Sequence, residues 1–292
     1  MNELFKPLNK SDFMPSSFKT ESRNSYLFLN LRFKVGVFIF AIILLFAVFG
    51  PMFSGYAYDE INLESKNLPP SKEFIFGSDE LGRDVFTRFC YGARISLSIG
   101  LIATIIDLVI GVVYGAVAGF LGGKTEELMM RICDSLYAIP YLLYVILLTV
   151  IFSPGLITIL IALAITGWIN MARIVRAEIL KIKNQEFILA AITIGVSKKR
   201  IIFNHLIPNV STTVVTTLMM SVSQAIFTEA FLSFLGLGIQ APVSSWGTMI
   251  CDGISALYYY PWRLFFPAMA ITLTILACNL IGESLKSSFR TL

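Results

Sequence analysis

The amino-acid sequence predicts an all-α polytopic membrane protein with six transmembrane helices and both termini cytoplasmic. Of its 292 residues, 56% are hydrophobic and only 14% charged, against about 25% charged in an ordinary soluble domain. Too few charges remain to cover a water-facing surface. Apolar runs of about 20 residues, enough to cross a hydrocarbon core of about 30 Å, recur near residues 34–53, 96–120, 135–153, 155–175, 208–235 and 264–283. Lysine and arginine gather in the segments that a six-span arrangement places on one side, which sets the orientation.

Taken in order, residues 1–33 form a polar cytoplasmic leader carrying Lys6, Lys10, Lys19, Arg23 and Arg32. Residues 34–53 form the first span. Its apolar run exceeds the roughly 7–15 residues of a signal-peptide core and lacks a small-x-small cleavage pattern, so it is expected to remain as an anchor. Residues 54–95 form an extracytoplasmic loop in which Leu81, Val85, Phe86 and Phe89 recur at helical spacing, the pattern of an amphipathic helix lying along the membrane surface. Arg83, Arg88 and Arg94 in this loop run against the charge rule, partly balanced by Asp79, Glu80, Asp84 and other acidic neighbours.

Residues 96–292 form a five-helix core. Lys124 and Arg131 follow its first span, with Arg131 and Asp134 placed to anchor the next near the bilayer surface. Ser153-Pro154-Gly155 makes a tight hairpin between the third and fourth spans. Gly236, Gly238 and Pro242 end the fifth and shape an outer loop, with Trp246 and Trp262 suited to the membrane interface. Lys286 and Arg290 close the chain inside.

Cys90, Cys133, Cys251 and Cys278 lie in or beside apolar runs without C-x-x-C spacing, as buried small hydrophobes do. A single histidine, His205, excludes most histidine-based metal sites. No metal site and no catalytic residue is expected. Ala118-Gly-Phe-Leu-Gly-Gly-Lys-Thr125 loosely matches a phosphate loop, but it leaves a transmembrane span instead of joining a strand to a helix.

The cytoplasmic connection at residues 183–207 carries the most information. Residues 185–194 suit a short helix that Gly195 can end, because glycine accepts left-handed geometry at a helix terminus. Ala190 and Ala191 leave one face with little bulk, open to close approach by a partner surface. Lys198, Lys199 and Arg200 then meet anionic headgroups while Ile201, Ile202 and Phe203 enter the apolar layer. Pro208 fits the first turn of the fifth span, where its missing N–H costs nothing. Together these make a short rigid lever.

Ala190-Ala191, Gly195 and His205-Leu206-Ile207-Pro208 resemble the EAA loop of bacterial ABC importer permeases. Leu189 departs from the family's usual glutamate, and Ile192 from the arginine frequent in peptide permeases. Gly77-Ser-Asp-Glu-Leu-Gly-Arg-Asp84, Tyr91-Gly-Ala-Arg-Ile-Ser-Leu97, Glu229-Ala-Phe-Leu-Ser-Phe-Leu-Gly-Leu-Gly238 and Ser245-Trp-Gly247 resemble the C-type permease of the oligopeptide, dipeptide and nickel importers. The polar leader and Asn184-Gln-Glu-Phe-Ile188 look closer to oligopeptide members.

The resemblance implies a type I ABC importer permease fold, a non-catalytic subunit in the bacterial cytoplasmic membrane, and import of peptides. It implies a homologous B-type permease, two ATP-binding subunits holding ATP and Mg, and an extracytoplasmic peptide-binding protein as partners, with no nucleic acid and no cofactor on this chain. It assigns ATPase coupling to Glu186, Phe187, Leu189, Ala190, Ala191, Ile194, Gly195, Ser197, Arg200 and Pro208.

Asp107 and Glu229 lie inside spans, where an ionised aspartate costs roughly 2.5–3.5 kcal/mol at mid-helix, so each defaults to a functional hypothesis. With Ser233 they are candidates for the pathway or the permease interface. A structural polar contact is the simpler expectation for Asp107. An ion-coupled secondary transporter using either carboxyl, dipeptide or metal-chelate import, and a membrane sensor or scaffold are the competing readings.

Overall fold

A computed structural model describes residues 31–290; the leader, apart from its last residues, lies outside them. In chain order the helices are α1 (Leu31–Phe49), α2 (Pro51–Ser54), α3 (Val85–Leu121), α4 (Gly123–Ala138), α5 (Tyr141–Phe152), α6 (Leu156–Ile182), α7 (Glu186–Thr193), α8 (Lys198–Phe234), α9 (Trp246–Ala256) and α10 (Trp262–Arg290). Among the described residues α1, α3, α6, α8 and α10 are long and apolar enough to cross a membrane, and α4 with α5 makes a sixth if that bent pair is one span.

The third span differs from expectation. Its apolar run does not begin a straight helix at residue 135: α4 and α5 meet at a 75° bend. Pro140 disfavours helical backbone at the residue before it, and Ile139 is extended at φ −79°, ψ 126°. The 12 residues of α5 reach only about 18 Å. Asp134 in α4 pairs with Arg173 of α6 at 2.7 Å, and Glu126 pairs with Arg176, so ion pairs brace the elbow; Arg131 pairs within α4 to Glu127.

Helix α3 is central, packing against α1, α4, α6, α8, α9 and α10. Its closest partner is α6, through Gly111, Gly115 and Gly119. A β-carbon at Gly115 would lie 2.3 Å from the Ala172 carbonyl oxygen, and one at Gly111 would lie 2.7 Å from Met171 Cβ. Small residues at four-residue spacing let two membrane helices approach closely, and packing then supplies the association energy that lipid cannot.

The amphipathic stretch near residues 81–89 is not a separate interfacial helix. From Val85 onward it is the start of α3, and its apolar residues Val85 and Phe86 are buried against protein instead of lipid. Phe86 and Phe89 make edge contacts with Phe76, which stacks on Phe266 of α10 at 3.8 Å. Trp246, expected at the interface, is fully buried and donates its indole N–H to the Phe89 carbonyl at 3.1 Å. Trp262 is partly exposed.

The outer loop's arginines are sequestered by pairing. Arg83 meets Asp79 at 2.7 Å, Arg88 lies 3.6 Å from Asp79 and 3.8 Å from Asp252, and Arg94 donates to the carbonyls of Ala47 and Val48 at the end of α1. Arg263 reaches Glu80 at 3.1 Å and Asn67 at 3.2 Å, so the loop is clasped to α9 and α10. Asp84 caps α3 by accepting from the Thr87 N–H at 2.9 Å. Burial pushes the Asp84 carboxyl above its ordinary range, against the lowering effect of the Thr87 bonds. Gly82 has φ +72°, and a β-carbon there would lie 1.7 Å from the Asn62 carbonyl oxygen. The Gly77-to-Asp84 motif is thus a turn that caps one helix and pins the loop.

Candidate functional site

Within the membrane the chain forms a cavity of about 660 Å³ bounded by α3, α4, α5, α6 and α8. One wall is a polar stripe on α8: Thr217, Ser221, Gln224 and Thr228 follow one another at steps of four, three and four, so they share a helical face. Thr166 and Asn170 of α6 stand opposite. The Thr217 and Thr228 hydroxyls bond back to the Thr213 and Gln224 carbonyls of their own helix, but the Gln224 and Asn170 amides facing hydrocarbon would leave polar groups unsatisfied at a cost of several kcal/mol each, so this face belongs against protein or water. A second cavity of about 580 Å³ shares Ile174, Thr217 and Met220 with the first and extends toward Glu178, Lys181 and Lys286. The two form one groove from the middle of the bundle to its cytoplasmic end.

Asp107 lies in the upper cavity's wall, 7% exposed. Its Oδ1 takes no hydrogen bond. It packs against Gly167, where a β-carbon would lie 2.5 Å away. The structural polar contact expected for this carboxyl is therefore not made through Oδ1.

Glu229 and Ser233 lie elsewhere. Glu229 is fully buried and accepts from the Ser96 hydroxyl of α3 and the Ser233 hydroxyl, each at 2.9 Å. The Ser96 oxygen accepts in turn from the Trp246 backbone N–H at 3.2 Å. This network joins α3, α8 and the start of α9, and neither residue lines the cavity.

The cytoplasmic lever is helical over α7, as its sequence predicts. Gly195 has φ +80°, with its N–H bonded to the Ile192 carbonyl and the Val196 N–H bonded to the Ala191 carbonyl, each at 3.0 Å. This is a Schellman closure, and Gly236 closes α8 in the same way with bonds to Ser233 and from Leu237 to Leu232. The two alanines point apart. Ala191 is buried with Ile188 among Val112, Ala116, Val175, Ile179, Ile201 and Leu206. Ala190 is exposed with Glu186, Phe187, Leu189, Ile192 and Ile194, forming an apolar cytoplasmic face. Ser197 and Arg200 are exposed beside it.

Pro208 lies in the first turn of the α-helical stretch Ile207–Phe234, as expected, but the chain enters that stretch without a break. Residues 198–234 run on continuously, with an i→i+5 turn over Ile201–Leu206 in which the Ile207 N–H bonds to the Ile202 carbonyl. Such a turn inserts slack into an α-helix, and it absorbs the missing proline N–H. The connection from Lys198 onward is therefore continuous with the fifth span, while α7 is set off from it by the turn at Gly195. At the other end, Lys183 donates to the Gly119 carbonyl at 3.1 Å, tying the lever to the cytoplasmic end of α3.

The sequence reading missed the polar stripe and the glycine seam. Both were signalled, by polar residues at helical spacing in an apolar run and by Gly111-x-x-x-Gly115-x-x-x-Gly119.

Residues 111–289 match the family described as binding-protein-dependent transport system inner membrane component, and residues 26–70 match the N-terminal transmembrane domain of oligopeptide transport permease C. The chain is 54% identical over 254 residues to the oligopeptide transport system permease protein OppC of Bacillus subtilis, covering 87% of this chain and 83% of that protein. It is 52% identical to the dipeptide transport system permease protein DppC of the same organism, over 87% of this chain and 79% of that one. OppC of Escherichia coli K12 is 39% identical, over 86% and 83%. An inward-facing structure of the MetNI methionine ABC transporter superposes with TM-score 0.59 at 15% identity, over 69% of this chain and 96% of that one, a likeness of fold alone. With one family model spanning most of the bundle and relatives of this identity over most of their length, the chain belongs to the inner-membrane components of binding-protein-dependent transport systems, as a multi-pass ABC permease.

Proposed function

We propose that this chain is one half of the membrane passage of a peptide importer, with oligopeptides as cargo, driven by ATP hydrolysed on two partner subunits that also hold the Mg. The observation that carries this reading is the polar groove between α6 and α8, whose two walls are joined on the cytoplasmic side by the α7 lever. A homologous B-type permease supplies the facing half of the passage, and an extracytoplasmic peptide-binding protein delivers cargo. The names of the relatives support peptides as the cargo class, and the dipeptide permease is similar enough to keep dipeptides as the second reading.

In this reading Phe187, Leu189, Ala190 and Ile194 meet the ATPase, Glu186 adds charge at the rim, and Gly195, Ser197, Arg200 and Pro208 shape and seat the lever. Ala191 holds α7 to the bundle. Movement of the ATPase pair then drives α6 and α8 together, and ATP shifts the equilibrium because one conformation binds it better than the other.

The test pairs two neighbours. Ala190→Phe is expected to lower peptide-stimulated ATP hydrolysis and uptake several-fold in the reconstituted complex while leaving the permease's thermal stability unchanged. Ala191→Phe is expected to lower that stability. Wild-type stimulation in the assembled Ala190→Phe complex overturns the docking assignment. Uptake of a labelled peptide panel by the purified complex, absent without ATP, tests the cargo class.

A further inference from the structure

We propose that Asp107 is a cargo-contacting site within the passage, selective for an alkylammonium group, supplied either by the peptide's amino terminus or by a lysine side chain. The proposal rests on the polar groove being the passage.

Three observations converge on it. Asp107 is more than nine-tenths buried in the wall of a cavity large enough for a small peptide segment, and among the described residues no Lys, Arg or His lines that cavity. Its Oδ1 has no hydrogen-bond partner, and the Tyr141 hydroxyl in the same wall also has none. The remaining polar lining consists of neutral hydroxyls and amides such as Thr166, Asn170 and Gln224.

A buried carboxylate without a counter-charge is costly and draws a cation or a proton. Packing at Gly167 fixes where this carboxyl sits, because any side chain there would displace it. The neutral lining cannot satisfy the carboxylate with charge, but it can solvate the peptide groups on either side. A cation crossing the low-dielectric middle of the bundle therefore meets a compensating charge in this cavity at Asp107, which lowers the barrier to its passage.

The experiment uses the reconstituted complex at saturating, peptide-loaded binding protein, with loading verified separately, so that maximal uptake rate reports passage and not capture. Four tripeptides are compared: lysine or norleucine at the middle position, each with a free or a desamino N-terminus. In the wild type each ammonium is expected to raise the maximal rate, by roughly threefold for one partly solvated ion pair. In Asp107→Asn, and independently in Gly167→Ala, the rates of all four are expected to converge.

If only the lysine arm responds, the ligand is the side chain; if only the free-terminus arm responds, it is the α-amino group. Unchanged ratios in the assembled Asp107→Asn complex overturn the site, as does failure of that variant to assemble while Gly167→Ala assembles with wild-type ratios, which would mark an ion pair to the second permease. The passage reading is checked separately by Ser221→Trp, which blocks uptake of all four peptides if the groove is the route. Transport unaffected by Ser221→Trp removes the underlying reading itself.

Discussion

Two carboxyl groups inside membrane helices meet opposite fates in this bundle. Asp107 sits in the wall of a polar cavity with one oxygen unpartnered, whereas Glu229 receives hydroxyl hydrogen bonds on both oxygens and lies away from the cavity. Removing one partner of a buried bond leaves the other unsatisfied, at about 1–3 kcal/mol. Glu229→Ala should therefore lower the melting temperature of the detergent-purified permease clearly, and Glu229→Gln, whose amide can still accept from one serine, should lower it less. Equal melting of both variants and wild type would remove the network's stabilising role. That both carboxyls stand out was readable from a charge inside an apolar run. Their separation into two roles was not, because Ser96 reaches Glu229 across 133 positions of sequence.

At the scale of the helix, hydropathy located the spans and turn chemistry located their ends: Gly195 and Gly236 both close helices in left-handed geometry, as their positions suggested. Two elements came out differently because hydropathy does not say what an apolar face packs against. Phe86 faces Phe76 and Phe46 instead of lipid, so an amphipathic stretch became the first turns of α3. Pro140 turned a span into an elbow. The α3–α6 seam gives the sharpest element-scale prediction. Gly115→Val puts a branched side chain where even a β-carbon is 2.3 Å from backbone, and overpacking costs typically about 1–3 kcal/mol or more where backbone must move. Reduced thermal stability is expected, with a smaller loss for Gly155→Ala, whose backbone is extended and whose β-carbon would meet nothing within 4 Å.

Across the whole molecule, the sequence pointed to a subunit that depends on partners, and the structure leaves a polar groove between α6 and α8. In a variant lacking native cysteines, Gln224→Cys on the polar stripe should react with a membrane-impermeant maleimide in the assembled complex. Val109→Cys, exposed on α3 two positions from Asp107 and so turned away from it, should not. Absence of labelling at both positions would mean that the groove is dry. The cavity was harder to read than the spans, since its walls come from five helices and only the stripe on α8 is local in sequence. The outer clasp has a consequence for how such a chain is made. Arg83 can pair with Asp79 as soon as both emerge, but Arg263 lies 183 residues from Glu80 and 196 from Asn67. At roughly 5–20 residues per second of synthesis, the loop must be translocated and then wait on the order of ten seconds or more before its last tether exists. Until then the outward-facing segment lacks the Arg263 tether, and its susceptibility to proteases and chaperones should change once the final helix is inserted.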